Sequence, residues 1–385
     1  MNNLILGYKR GIYRCKSIQT ALSKFQQKST IITDEDDLDN IEGNYDRIFT
    51  MSESLLPLQY KLEQKLGINN LTKESVEILT NKFKMDEYAR SLGFTITPKS
   101  VLPQKAEDLN IFGDQPVFVK PVIGSGTKDQ HHNFPYTGFK NKEEALKHVK
   151  FNTWIDEGFN NMQNQLMVQE YLPDHSKIYA LYAYANSSGK ITPLYWVKGD
   201  NVKVINKTEN HWQPRNHIFE GIPENEVPEK VKHTVIHFYQ KLIDGLKIKN
   251  LLMVADFYYF DDTIKFIDLN PRIGQGMVMY DDLCDNEFLP SVFAEMPLPE
   301  FKRHLWKETN LKAGTIKSVG DYKSIEGADL ASNWFLQDGV VIPEEYYMSS
   351  QVFHFSLFVS RKEKTDMYET YRSSHEQLQS CIEYY

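Results

Sequence analysis

The sequence is poor in cysteine. Cys15, Cys284 and Cys381 are the whole complement in 385 residues. Three scattered thiols cannot build a disulfide framework, and none falls in a C-x-x-C pair of the kind that holds a metal. Long apolar runs are missing as well: none reaches the ~18 residues needed to span a bilayer. The opening MNNLILGYKRG lacks the longer apolar region of a signal peptide. These absences predict a soluble protein of a reducing compartment, the cytoplasm, with no membrane partner. Positive charge is not in excess either. The net charge is −8 and no Lys/Arg-dense stretch occurs, so the overall balance carries no footprint of a nucleic-acid partner. Repeats, low-complexity tracts and long Pro/Gly/Ser linkers are absent. Histidines with metal-site spacing are absent too: His131 and His132 are adjacent and point apart, and His211 and His217 lie six apart. No G-x-S-x-G nucleophile elbow and no Walker A loop is found.

What is present suits a globular α/β protein. The length exceeds what one core usually serves, which predicts two or three domains. Tyr and Phe number 22 each, so the cores should be rich in aromatic packing. Strands near 4–6, 30–33 and 47–50 alternate with a helical stretch to about residue 28, the pattern of a small parallel unit. Residues 72–94 read as one helical run starting near Thr72 and ending at Gly93. QPVFVKP is an apolar strand followed by the loop IGSGTKDQHH, and residues 141–150 read as helix again. QLMVQEYL is a strand stopped by Pro173. IYALYAYA and ITPLYWVK form a hairpin around Asn186–Lys190, with Gly189 in the turn. A helix over 226–247 precedes LLMVADFYYF, a turn at Asp261–Asp262, and TIKFIDLNPRIGQG. After about residue 311, short β-like runs end in a polar helix over 363–382, the texture of a separate small module.

The chemistry concentrates in these last strands. Asp256 interrupts an apolar strand, and Asp268 follows twelve residues later. Spacing of two puts Asp268 and Asn270 on one face, together with Ile264 and Phe266. A three-residue loop, Asp261–Thr263, makes Asp256 face Asp268, whereas a two-residue loop puts them on opposite faces. Facing carboxylates in apolar surroundings repel and desolvate each other, and persist mainly with a cation between them. Asp, Asp and Asn oxygens suit hard Mg²⁺. Lys120 ends its strand just before Gly124, Ser125 and Gly126, whose backbone N–H groups could close over phosphate. Lys82 by itself reads as a surface lysine. Gln169, Glu170, Tyr171 and Leu172 end a strand and can present main-chain groups to a flat base. Lys198, Lys203 and Arg215 are candidate anion contacts.

The order of these signals is specific. A Lys opens a helix ending G-F-T-I-T-P; then come V-K-P with a Gly/Ser loop, V-Q-E-Y-L, a carboxylate strand, and D-L-N-P-R. This resembles the ATP-grasp superfamily, in the branch with biotin carboxylase, the carbamoyl-phosphate synthetase large subunit and L-amino-acid ligases. The resemblance implies an α/β and α+β fold: an N-terminal α/β pre-domain (1–80), a nucleotide-binding ATP-grasp domain (81–310) and a small β-containing C-terminal module (311–385). It implies that Lys82 and Lys120 contact ATP phosphates under a mobile loop at Gly124–Gly126. Gln169–Leu172 would be the hinge, with Glu170 and Leu172 holding adenine by main-chain groups. Asp256, Asp268 and Asn270 would coordinate one or two Mg²⁺, with Mn²⁺ as an alternative, and Arg272 would stabilise developing negative charge. Relatives often carry a ribose-binding glutamate after the hinge. Ser176 holds that place here, which passes the ribose to Asp174 or Lys177. The activity implied is an ATP-dependent carboxylate–amine (or carboxylate–thiol) ligase. It would act through an acyl phosphate on an amino acid or small peptide, with a homodimer as the candidate assembly. A phosphotransferase on the same scaffold, and a nucleotide-binding protein without catalysis, are the alternatives.

Overall fold

The computed structural model describes residues 1–7, 12–33, 36, 40–123, 137–148, 166–172, 177–200, 211–212, 218–273, 275–310, 314–321, 325–326, 330–333, 339, 341–342, 354–360, 369–370, 373–374, 376–377 and 380–385. The chain begins with β1 (Asn2–Gly7), α1 (Ile12–Lys24), β2 (Lys28–Thr33) and β3 (Arg47–Thr50), whose strands pair in parallel in the order β2-β1-β3. Central β1 is buried on both faces. Leu4 and Leu6 join one core and Ile5 the other, as strand alternation requires. On α1, Cys15, Ile18 and Leu22 lie at helical spacing and are buried against the same core as Ile5.

The helical run expected over 72–94 is two helices. After α2 (Leu56–Leu66), α3 (Lys73–Leu79) starts with a reciprocal cap: Ser75 N–H donates to Thr72 Oγ1 at 3.0 Å, and Thr72 N–H to Ser75 Oγ at 2.8 Å. The chain then restarts as α4 (Lys82–Ser91), with Asn81 as N-cap accepting from Lys84 N–H at 2.9 Å. The break frees the Lys82 N–H from the helix ladder. It donates instead to Val122 O at 2.9 Å and ties the start of α4 to the strand that carries Lys120.

That strand, β5 (Val117–Pro121), lies in a small sheet ordered β10-β6-β5-β7-β4, with β4 Ser100–Val101, β6 Thr137–Phe139, β7 Leu166–Glu170 and β10 His211–Trp212. Val117, Val119 and Val168 point into a core with Phe139, Leu109 and Ala145 of α5 (Lys142–His148). The opposite face carries Phe118 beside Gln169 and Lys120 beside Met167.

The large sheet is antiparallel, in the order β13-β12-β8-β9-β11-β14-β18-β16. It contains β8 (Lys177–Ala185), β9 (Ile191–Asp200), β11 (Ile218–Ile222), β12 (Leu251–Phe260), β13 (Thr263–Asn270), β14 (His304–Asn310), β16 (Leu330–Asn333) and β18 (His354–Ser360). The expected β8–β9 hairpin is present. Gly189 takes φ 74° in its turn, and Asn186 N–H donates to Lys190 O at 2.9 Å. One face of the sheet packs on α6 (Glu229–Leu246), whose Val235, Phe238, Tyr239 and Leu242 are buried at helical spacing. The other face packs on α1, α7 (Gln275–Leu283) and α8 (Phe288–Ala294), through stacked Tyr182 and Tyr195, then Tyr280 and Phe288. Strands beyond residue 311 divide between the two remaining places. β16 and β18 continue the large sheet, while β15 (Gly314–Val319), β17 (Val341–Ile342) and β19 (Ile382–Tyr384) form a small one. Among the described residues no helix is long and apolar enough to cross a membrane.

Candidate functional site

The β12–β13 hairpin decides the geometry. Its turn has two residues, with Phe260 paired to Thr263 and Asp261 and Asp262 both at positive φ (45° and 59°). Positive φ at both central positions is the turn whose twist matches a hairpin. In a regular ladder this loop would put Asp256 opposite Ile267. A β-bulge intervenes: Phe257 pairs with Phe266, but Asp256 pairs with Asp268. Ile267 is the extra residue, and the two carboxylates face each other despite the short loop.

The bulge also corrects the expected grouping of faces. Ile264, Phe266 and Leu269 all enter the core under α6. Phe266 and Leu269 are three apart, which an unbroken strand would place on opposite faces. Asp268 and Asn270 therefore lie opposite to Ile264 and Phe266, on the side of Val254 and Leu252. There, burial and then the Asp268 charge push Asp256 up to about 7, while Arg272 and Lys120 pull it down.

Two lysines reach this pair. Lys120 is 3% exposed, and its Nζ donates to Ile267 O at 2.8 Å, on the residue extruded by the bulge. Burial lowers its pKa, and Asp268 and Asp86 oppose that. Lys82 is buried rather than a surface residue. Its Nζ lies 3.7 Å from Asp268 Oδ2 and 4.0 Å from Glu53 Oε1. Glu53, itself 4% exposed, comes from the segment after β3, so the N-terminal unit closes one side of the site. Its distance in the chain from every other site residue left no signal by which to find it.

Asp86 was also missed by sequence reasoning, although it stands one helical turn after Lys82 and so on the same face of α4. It is 1% exposed, accepts from Ser100 Oγ at 3.0 Å and from Gln169 Nε2 at 3.3 Å, and lies 3.9 Å from Arg90. Burial pushes it up to about 6 against the pull of Lys120. Gln169 and Glu170 end β7, and Tyr171 and Leu172 follow. Glu170 N–H donates to Lys99 O at 2.8 Å, Tyr171 N–H to Pro116 O at 3.0 Å, and the Glu170 carboxylate pairs with Lys265 at 3.0 Å. This contact and the Lys120–Ile267 bond bridge the small sheet to the hairpin. Arg272 is half-buried just past β13, its N–H donating to Asn270 O at 2.9 Å. Lys177 is exposed at the start of β8, and Lys198 lies on β9. Gly124, Ser125, Gly126, Asp174, Ser176, Lys203 and Arg215 lie outside the described residues.

A small sheet and the edge hairpin of a larger antiparallel sheet, bridged by a buried lysine and preceded by a parallel three-stranded unit, define the ATP-grasp fold. Solved structures match it over 77% to 100% of the chain. The L-amino acid ligase from Bacillus licheniformis superposes with a TM-score of 0.68 at 14% identity, covering 100% of this chain and 98% of that one. The N5-carboxyaminoimidazole synthetase from Staphylococcus aureus, complexed with ADP, gives 0.61 at 13% identity, covering 97% and 98%. The D-alanine–D-alanine ligase from Bacillus anthracis gives 0.56 at 16% identity, covering 77% and 96%. No family model matches the sequence, and no curated protein matches it in sequence.

Proposed function

We propose that the chain is an ATP-dependent carboxylate–amine ligase. The observation that carries this reading is the bulged hairpin, which sets Asp256 against Asp268, beside Asn270, under Lys82 and Lys120. The solved structures of like fold support it, since those named above are two ligases and a synthetase in complex with ADP.

The donor set fits Mg²⁺. Two opposed carboxylates and an amide oxygen share one face, and burial with mutual repulsion keeps Asp256 partly protonated until a cation offsets both charges. Bound there through Asp256, Asp268 and Asn270, one or two Mg²⁺ would neutralise phosphate charge. The protein's own groups do the rest. Lys120 and Lys82 hold the phosphates of ATP for in-line transfer. A substrate carboxylate oxygen attacks the γ-phosphorus, the bond to the β-phosphate bridging oxygen breaks, and ADP departs. The acyl phosphate is then attacked at carbon by an amine, which expels phosphate. Arg272 stabilises the oxyanion of that second step. Gly124–Gly126 close over the phosphates and exclude water. Glu170 and Leu172 hold adenine by main-chain groups, with Gln169 and Tyr171 beside them, and Asp174 or Lys177 takes the ribose. The substrates are small molecules, an amino acid or short peptide with an amine acceptor, and the setting is cytoplasmic.

The test supplies ATP, Mg²⁺ and paired panels of amino acids and measures ADP and free phosphate. Release that requires two co-substrates together is expected. Release that never depends on two refutes the ligase, and γ-phosphate retained on a product without free phosphate would replace it with a phosphotransferase. Asp268→Asn should lower turnover by about 100-fold or more; unchanged turnover would remove Asp268 from the chemistry.

A further inference from the structure

Glu53 takes no part in the mechanism above, yet its carboxylate is 4% exposed and meets Lys82, which is 9% exposed. The ammonium of Lys82 lies 4.0 Å from Glu53 Oε1 and 3.7 Å from Asp268 Oδ2. Both distances are longer than a hydrogen bond, so these two carboxylates act on it through charge. By Coulomb's law their pulls are nearly equal. Glu53 Oε1 accepts no hydrogen bond among the described residues, and the ion pair with Lys82 is what offsets its burial.

The two carboxylates come from distant parts of the chain, and neither can follow the lysine. Glu53 opens a single 3₁₀ turn, Glu53–Leu55, and its carbonyl accepts from Leu56 N–H. Leu55 is buried in the core of the N-terminal unit and Leu56 in the core under α6, which pins this segment between the two. Asp268 is fixed by the register of the hairpin. Lys82 is the adjustable member. Its backbone is tied to Val122 O, but a flexible four-carbon stem carries the charge. Lys120 adds a like charge nearby. A balance of charges therefore sets the place of the Lys82 ammonium. Without Glu53, Asp268 would draw it into a close ion pair and give up an oxygen to it.

We propose that Glu53 is a positioning residue that holds Lys82 off Asp268, which keeps the ammonium directed to the phosphates and Asp268 open to Mg²⁺. The inference rests on the nucleotide-binding reading given above. It makes phosphate binding depend on the docking of the N-terminal unit, because that unit supplies the carboxylate.

Calorimetry of Mg²⁺–ATP binding tests this without requiring turnover. Glu53→Gln keeps the shape and removes the charge, and should weaken binding about 10-fold, the scale of losing a group that orients a ligand-binding residue. Glu53→Asp keeps the charge on a shorter stem and should stay within about threefold of wild type. A packing role would give the reverse order, since Gln fills the space and Asp leaves a gap. In a Lys82→Met background, Glu53→Gln should cost less than about twofold, because its effect passes through the lysine. Urea midpoints check that each variant folds, and the contrast of Gln with Asp carries the test if Lys82→Met does not. A Glu53→Gln chain with full affinity, equal losses in the two backgrounds, or the reverse order of Gln and Asp overturns the proposal while leaving the nucleotide site standing. A wild-type chain that binds no Mg²⁺–ATP refutes the nucleotide reading, and this inference with it.

Discussion

Replacing Asp256 by Asn removes a carboxylate whose environment opposes its charge, and the result should depend on pH in a defined way. Burial, reinforced by Asp268, carries Asp256 from 3.8 to about 7. In the unfolded chain it titrates near its ordinary value, so the folded state binds the extra proton between these limits. Stability from this group is therefore fully present below about pH 4 and is lost as pH rises through about 7. At about 1.4 kcal/mol per pKa unit the full difference is about 4 kcal/mol. Asp256 keeps some solvent access, which screens the charge, so a value of about 2–4 kcal/mol is expected. Coulomb repulsion between opposed carboxylates about 5 Å apart, at an effective dielectric of about 20, is about 3 kcal/mol and agrees in scale. Urea unfolding followed by tryptophan fluorescence, without Mg²⁺, should show Asp256→Asn more stable than wild type by this amount at pH 8. At pH 4 the two proteins should differ by less than about 1 kcal/mol. Other buried acids, Glu63, Asp86 and Asp281, are also pushed up by burial, but they titrate in both proteins and cancel in the difference. A stability difference that is the same at both pH values would refute the claim that Asp256 is buried against a second carboxylate.

The remaining predictions are simpler. Lys120→Met removes the ammonium on Ile267 O and should weaken ATP binding by about 100-fold, in keeping with the loss of charged hydrogen bonds worth about 1.5–3 kcal/mol each; calorimetry showing less than a threefold change would exclude Lys120 from the phosphate site. Asn81→Ala removes the cap that restarts α4 and should destabilise the fold by about 1 kcal/mol, read as a lower urea midpoint with an unchanged m-value. Phe238→Ala empties the centre of the aromatic cluster with Phe257 and Phe266 and should cost about 3–5 kcal/mol, while the KM for ATP stays within twofold because α6 lies on the face away from Asp256.

Much of this fold was legible because local chemistry and tertiary packing agree. β1 to β3, the Thr72–Ser75 cap, the Asn186–Gly189 hairpin and α6 all follow from periodicity and turn residues. The α3–α4 break was not legible, because Asn81 is a weak interior residue as well as a good cap. What settles the matter is the tie from Lys82 N–H to Val122 O, a contact just past the end of β5, forty residues on. Asp86 lay within reach of helical spacing from Lys82, but its partners Ser100 and Gln169 belong to two other strands. Glu53 was beyond reach, since only the docking of the N-terminal unit brings it to Lys82.

The sequence by itself determined the ordered set of chemical groups: Lys82, Lys120, the Gln169–Leu172 strand end, Asp256, Asp268, Asn270 and Arg272. It placed a turn at Asp261–Asp262 but left its length open between two and three residues, and the structure closes it with two, both at positive φ. Taken alone, that turn would have put the two carboxylates on opposite faces. The tertiary structure decided otherwise. Phe266 and Leu269, three apart, both sink into the core under α6, and the strand can satisfy both only by extruding Ile267. One bulge thus sets Asp256 against Asp268 and turns the Ile267 carbonyl to Lys120, a register that packing imposes and no local preference contains.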